Sequence, residues 1–138
     1  MDTTALMTSL AHLDSFFSQF AVAALLLVLF TLVYVQVTPF PEFRLIKEGK
    51  VAPAISFSGA LLGFVVPLAG AIAHTVSLGE MVVWALIALI VQVTVFLLLL
   101  LFFRGISQAI ANDSRAAAIL LAALSLAAGI LNAASMTY

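Results

Sequence analysis

The sequence contains no cysteine, which excludes disulfides, thiolate nucleophiles and thiolate-held metals. Charge is nearly as scarce: 8% of the 138 residues are Asp, Glu, Lys or Arg, against about 25% in an ordinary soluble domain. A net charge of −1 leaves no basic field for nucleic acid. The two histidines, His12 and His74, have no second ligand at metal-binding spacing. Paired carboxylates, a phosphate-cradling loop and a nucleophile elbow are all missing. No ionisable residue falls midway along an apolar run, where pumps place one. The expectation is a non-enzymatic protein without cofactor or metal.

Apolar surface is what the chain has in quantity. Hydrophobic residues make up 65% of it, and mean hydropathy is +1.30. A soluble fold this short leaves too much of its area exposed to hide so many apolar side chains. Lipid removes that difficulty. The first residues carry Asp2 and Asp14 rather than the positive stretch of a secretory signal, so residues 1–15 are read as a retained lead-in. There, Leu6, Leu10, Leu13 and Phe17 recur at helical spacing, giving a stripe suited to the membrane interface or to a partner helix.

Four stretches can cross a hydrocarbon core of about 30 Å, which takes roughly 20 helical residues. They run over Phe16 to Val37, Val51 to Val76, Met81 to Phe103 and Arg115 to Thr137. From Trp84 to Phe103, 15 of 20 residues are Leu, Ile, Val or Phe. At helix-centre values these favour insertion by about 5–9 kcal/mol, which Gln92 and Thr94 cannot cancel. Spanning strands would need alternation, and the run from Phe96 to Phe103 does not alternate. The fold expected is an all-α integral membrane protein in one membrane domain.

All five basic residues flank two connectors: Arg44, Lys47 and Lys50 in the first, Arg104 and Arg115 in the second. The positive-inside rule puts both connectors in the cytoplasm and both termini outside, with Trp84 and Tyr138 near the outer interface. Residues 16–76 and 81–137 then form two tandem hairpin repeats in the same orientation. Lys50 to Ile55 lies against Arg115 to Leu120 at an offset of 65 residues, a match of pattern rather than identity. Thr38-Pro39-Phe40-Pro41 ends the first span, because proline removes a donor and restricts the residue before it. Pro41 can then open a short helix that stops at Gly49, with Phe43 and Ile46 sharing a face. The second connector repeats the theme with Ile106, Ala109 and Ile110. Asn112-Asp113-Ser114 supplies an N-cap for the last span.

Within the spans, Gly59 and Gly63 form a GxxxG pattern that Ser56, Pro67 and Gly70 extend. Such stripes let backbones approach closely. Ala118, Ala122, Ser125, Gly129 and Ala133 give the last span a stripe of its own, so packing within the chain competes with homo-oligomerisation. Pro67 frees the carbonyl of Gly63 and kinks the helix. Gln92, Asn132, Ser58, Ser56, Ser125 and His74 are the intramembrane polar groups, and hydrogen bonding between helices is the default reading for each. Their convergence on a water-filled cavity would instead make an oligomeric pore or transporter for a small solute.

The stretches LIKEGKVAPAISFSGALLGFVVPL (Leu45 to Leu68), ALIALIVQVTVF (Ala85 to Phe96) and AAGILNAASMTY (Ala127 to Tyr138) resemble the YjfL-like family of bacterial inner-membrane proteins of unknown function. The order Ser56, Ser58, Gly59, Gly63, Pro67 carries much of the likeness. At Lys50 and His74 the family pattern favours small polar residues, so no role is carried over to either. The resemblance implies a bacterial plasma membrane location. It also implies an accessory role in envelope maintenance, since such proteins are often encoded beside PspA-like stress proteins and ATP-grasp ligases. Membrane lipids and a second copy, or a cytosolic or membrane protein, are the partners expected. The basic residues, Arg44, Lys47, Lys50, Arg104 and Arg115, are the groups expected to meet them.

Overall fold

In hydrocarbon a backbone amide has no water to bond, and a helix satisfies each one within its own segment. A computed structural model describes residues 2–138, and these form helices and connecting turns with no strand among them. The helices are α1 (Thr3–Ala11), α2 (Leu13–Val37), α3 (Glu42–Lys47), α4 (Val51–His74), α5 (Leu78–Phe102), α6 (Ile106–Ala111) and α7 (Arg115–Ser135). The four long ones have 25, 24, 25 and 21 residues. At 1.5 Å per residue they reach roughly 32–38 Å, enough to cross a bilayer.

Helix starts follow local chemistry. Asp2 caps α1, its Oδ1 accepting from Thr4 N at 3.4 Å. Ser77 caps α5 through Glu80 N, and Ser114 caps α7 through Ala117 N. Pro53 stands in the first turn of α4, where its missing N–H leaves no bond unmade. The lead-in is helical, as its stripe suggested, with α1 over Thr3–Ala11; a break at His12 separates it from α2, which starts at Leu13 rather than Phe16. The whole of α1 is exposed, its apolar stripe at Leu6 and Leu10 included.

The centre of the bundle is the pair α4 and α7, which make the most extensive contact in the molecule; α5 packs against both. Helix α2 leans on α4 and α5 through Leu26, Phe30 and Tyr34, and leaves most of its other side chains exposed. Phe30 stacks on Phe64 of α4 at 4.9 Å between ring centres. The short helices α3 and α6 close one end, α3 against α4 and α6 against α4 and α7. At the other end His74 stacks on Tyr138, and Trp84 lies 5.3 Å from the same ring.

Candidate functional site

Two regions bring sequence-selected residues together: the α4–α7 seam and the end that carries α3 and α6. In the seam, a Cβ on Gly59 would run into the backbone and side chain of Ala122. One on Gly63 would meet the carbonyl of Ser125 and the amide of Gln92, and one on Gly129 would meet the carbonyl of Gly63. Glycine is required here by proximity alone. Pro67, fully buried, has no N–H for the carbonyl of Gly63. That oxygen faces Gly129, where a Cα hydrogen takes the place a side chain would fill. Two of the residues grouped with this stripe lie elsewhere. Ser56 turns to α2, and Gly70 faces the hydroxyl end of Tyr138.

The intramembrane polar groups separate by environment. Gln92 is buried and donates from Nε2 to the carbonyl of Ser125 at 2.9 Å; Asn132 donates from Nδ2 to the carbonyl of Ala88 at 3.2 Å. These bonds tie α5 to α7. Gln92 Oε1 and Ser125 Oγ have no partner. Ser58 departs from the expectation of a bond between helices. It is exposed, and its hydroxyl donates to the carbonyl of Ala54 in its own helix at 2.7 Å. His74 does likewise, with Nδ1 against the carbonyl of Gly70 at 2.9 Å.

At the opposite end the connectors are bonded together. Oδ1 of Asp113 accepts from the backbone N–H of Val51 and of Ala52, both at 2.8 Å, so the second connector caps the helix that follows the first. Lys50 and Arg115 stand at the starts of α4 and α7, where a cation opposes the helix dipole. The carboxylate of Asp113 offsets both. The N–H of Ala52 above all, with the N–H of Val51 and the charges of Lys50 and Arg115 adding to it, holds its carboxyl below the usual range against an opposing desolvation effect. Asp113 adopts φ +67°, a left-handed conformation that aspartate tolerates better than most residues. Arg44, Lys47, Arg104 and Arg115 are exposed and Lys50 is half-buried, all five on or beside the two connectors.

Sequence reasoning missed Glu42. It opens α3, where an acid ordinarily faces solvent and favours the helix dipole, yet it is 1% exposed and neither carboxylate oxygen has a hydrogen-bond partner. Burial pushes its carboxyl up to about 7, while the hydroxyls of Thr38 and Tyr34 pull it partway back. Tyr34 in turn pairs with Ser56 across α2 and α4, oxygen to oxygen at 3.2 Å. The only hint in the sequence is position: Glu42 lies between Phe40 and Phe43 just after Pro41.

An apolar groove of about 480 Å³ runs along the outside of the α4–α7 pair, lined by residues that include Val51, Ile55, Leu62, Ile119 and Leu126. It starts next to Lys50 and one turn beyond Arg115. Among the described residues no group of three or more His, Asp or Glu side chains could hold a metal ion.

The chain matches the model of a domain of unknown function, DUF350, over residues 5–136. It is 36% identical over 129 residues to the UPF0719 inner membrane protein YjfL of Escherichia coli strain K12, covering 94% of this chain and 98% of that protein. The likeness to the YjfL protein of Escherichia coli O157:H7 has the same extent. No solved structure matches. With four apolar helices of spanning length and relatives that are inner membrane proteins, this is a multi-pass inner membrane protein. The chain belongs to the DUF350 family.

Proposed function

We propose that the protein is a non-enzymatic scaffold of the inner membrane, with an accessory role in envelope maintenance, whose cationic end engages anionic lipid headgroups. The observation that carries this reading is the bond between connectors: Asp113 ties the start of α4 to the segment that starts α7, making one platform of two. Lys50 and Arg115 flank it, and the apolar groove beside them suits an acyl chain. The order long helix, short helix, long helix occurs twice, which supports two tandem hairpins of like orientation. The positive-inside rule makes the platform cytoplasmic and the termini external. Gln92 and Asn132 spend their amide donors on carbonyls across the core, which favours helix cohesion over a solute path.

The test is lipid retention in native mass spectrometry after extraction from mixed anionic and neutral bilayers. At about 1 kcal/mol per surface cation, changing Arg44, Lys47 and Lys50 together to glutamine should weaken anionic lipid retention on the order of a hundredfold. Unchanged retention by the folded triple variant sinks the reading. Solute flux in liposomes that drops on Gln92→Leu or Asn132→Leu would establish the transporter instead.

A further inference from the structure

A carboxylate taken out of water must be neutralised or paired, because solvation of the bare charge is lost on burial. Glu42 has neither escape within the chain. Both oxygens are buried without a hydrogen-bond donor, and among the described residues no basic side chain bonds to them. On α3 itself, Arg44 and Lys47 are exposed and turned to solvent. On α2, the facing groups are the hydroxyls of Tyr34 and Thr38. At the start of α4, Lys50 lies beside Asp113. Helix α6 has no charged residue, and Arg104 before it is exposed.

The hydroxyls do not fill the gap: they offset only part of the upward shift, and neither makes a hydrogen bond to the carboxylate. Thr38 Oγ1 donates to the carbonyl of Tyr34 at 3.1 Å, so its hydrogen is committed while its lone pairs are available. Tyr34 and Ser56 share one hydrogen bond, which leaves one hydroxyl hydrogen between them. A metal ion would ask for several converging oxygens, commonly six or so, and only one carboxylate is here. A neutral carboxylic acid asks for a single acceptor. Thr38 offers one.

We propose that Glu42 is a proton-binding site: with α3 seated on the bundle it holds a proton taken from the adjoining aqueous phase, and it releases that proton when α3 lifts. Only one O–H bond forms or breaks, and the proton is exchanged with solvent. The site stands whether or not the cations bind lipid, although Arg44 and Lys47 share the six-residue helix and move with it.

The position of the equilibrium agrees. An exposed glutamate titrates near 4.5, whereas seated Glu42 is raised to about 7. Between those values the seated form holds a proton that the lifted form does not. Seating is therefore strongest in acid and weakens as pH rises through that window. The loss amounts to on the order of a hundredfold in the seated-to-lifted ratio, with no further change above it.

Infrared titration of the full chain in nanodiscs, with isotope-labelled glutamate, reads the proton directly. The wild type should show a protonated glutamate carbonyl band that persists to neutral pH and disappears with a midpoint near 7, and Glu42→Gln should lack it. A band that vanishes in the ordinary carboxylate range, or that is lost on adding sodium or calcium at fixed pH, overturns the site. Should Glu42→Gln not fold, the wild-type midpoint alone decides. Lifting is read separately at half-buried Ile46. Thiol labelling of Ile46→Cys, divided by that of the Ile46→Cys, Glu42→Gln double variant, should rise with pH; a flat ratio overturns the coupling to α3.

Discussion

Asp113 and Val51 stand 62 residues apart in the chain and 2.8 Å apart in the fold, the carboxylate of one accepting the first N–H of the helix begun by the other. The bond holds the two connectors at one end of the bundle. It also satisfies two of the four N–H groups that a helix start leaves without partners.

Asp113→Ala should therefore lower the thermal midpoint of the detergent-solubilised protein and raise hydrogen exchange at the start of α4. Asp113→Asn should fall between, since it keeps an acceptor oxygen and tolerates the left-handed backbone but loses the charge. The sign with pH follows from the lowered carboxyl. The stabilisation is complete above the ordinary aspartate value of 3.8 and is lost as pH falls below it through the folded value. A midpoint difference between wild type and Asp113→Asn, which shares the tolerance of the left-handed backbone, that persists at strongly acid pH would contradict this assignment.

The seam makes a second prediction. Adding a methyl to a close-packed interior costs about 1–3 kcal/mol when neighbours can adjust. At Gly63 and Gly129 the obstacles include backbone atoms of the opposite helix, which move only if the helices part. Gly63→Ala and Gly129→Ala should fall at or above the upper end of that range. Gly70→Ala meets only the flexible end of Tyr138, and Gly79→Ala meets nothing within 4 Å. Both should be nearly silent in reversible unfolding. Equal losses at all four positions would refute a seam fixed by contact.

Much of this architecture is legible in the chain, and the exceptions have one physical source. Spans are written locally, since about 20 apolar residues in a row leave the backbone no other course. Small residues spaced a turn apart mark surfaces where helices can approach, but not which helix arrives. Ser56 and Ser58 look equivalent in sequence, yet two residues turn a helix by about 200°. One therefore meets Tyr34 and the other is exposed. The cap by Asp113 and the burial of Glu42 depend on how connectors far apart in sequence fold over the ends of α4 and α2. No local pattern encodes that.

Gln92 offers a third prediction. Its amide donates to the carbonyl of Ser125, a bond of the kind worth about 0.6–2 kcal/mol within a membrane bundle. Gln92→Leu should destabilise by roughly that amount, because the leucine fills similar volume while removing the link from α5 to α7. Gln92→Ala should cost more, adding a cavity of the kind that makes large-to-small changes expensive, about 2–5 kcal/mol in tight cores. Unfolding under steric trapping separates the two. A leucine variant less stable than the alanine variant would show that shape, not the lost bond, governs the site.

The orientation is testable because the chain has no native cysteine. Val76, 96% exposed between α4 and α5, marks one end of the bundle; Glu48 and Asn112, both exposed, mark the other. None of the three is basic, so replacing them leaves the cations that set topology in place. In intact spheroplasts a membrane-impermeant thiol reagent should modify Val76→Cys at once. It should reach Glu48→Cys and Asn112→Cys only after permeabilisation. Labelling of all three with the opposite sidedness would invert the orientation and move the proposed platform outside. Labelling that split Glu48→Cys from Asn112→Cys would be more damaging, because two connectors bonded through Asp113 cannot lie on opposite faces of a bilayer.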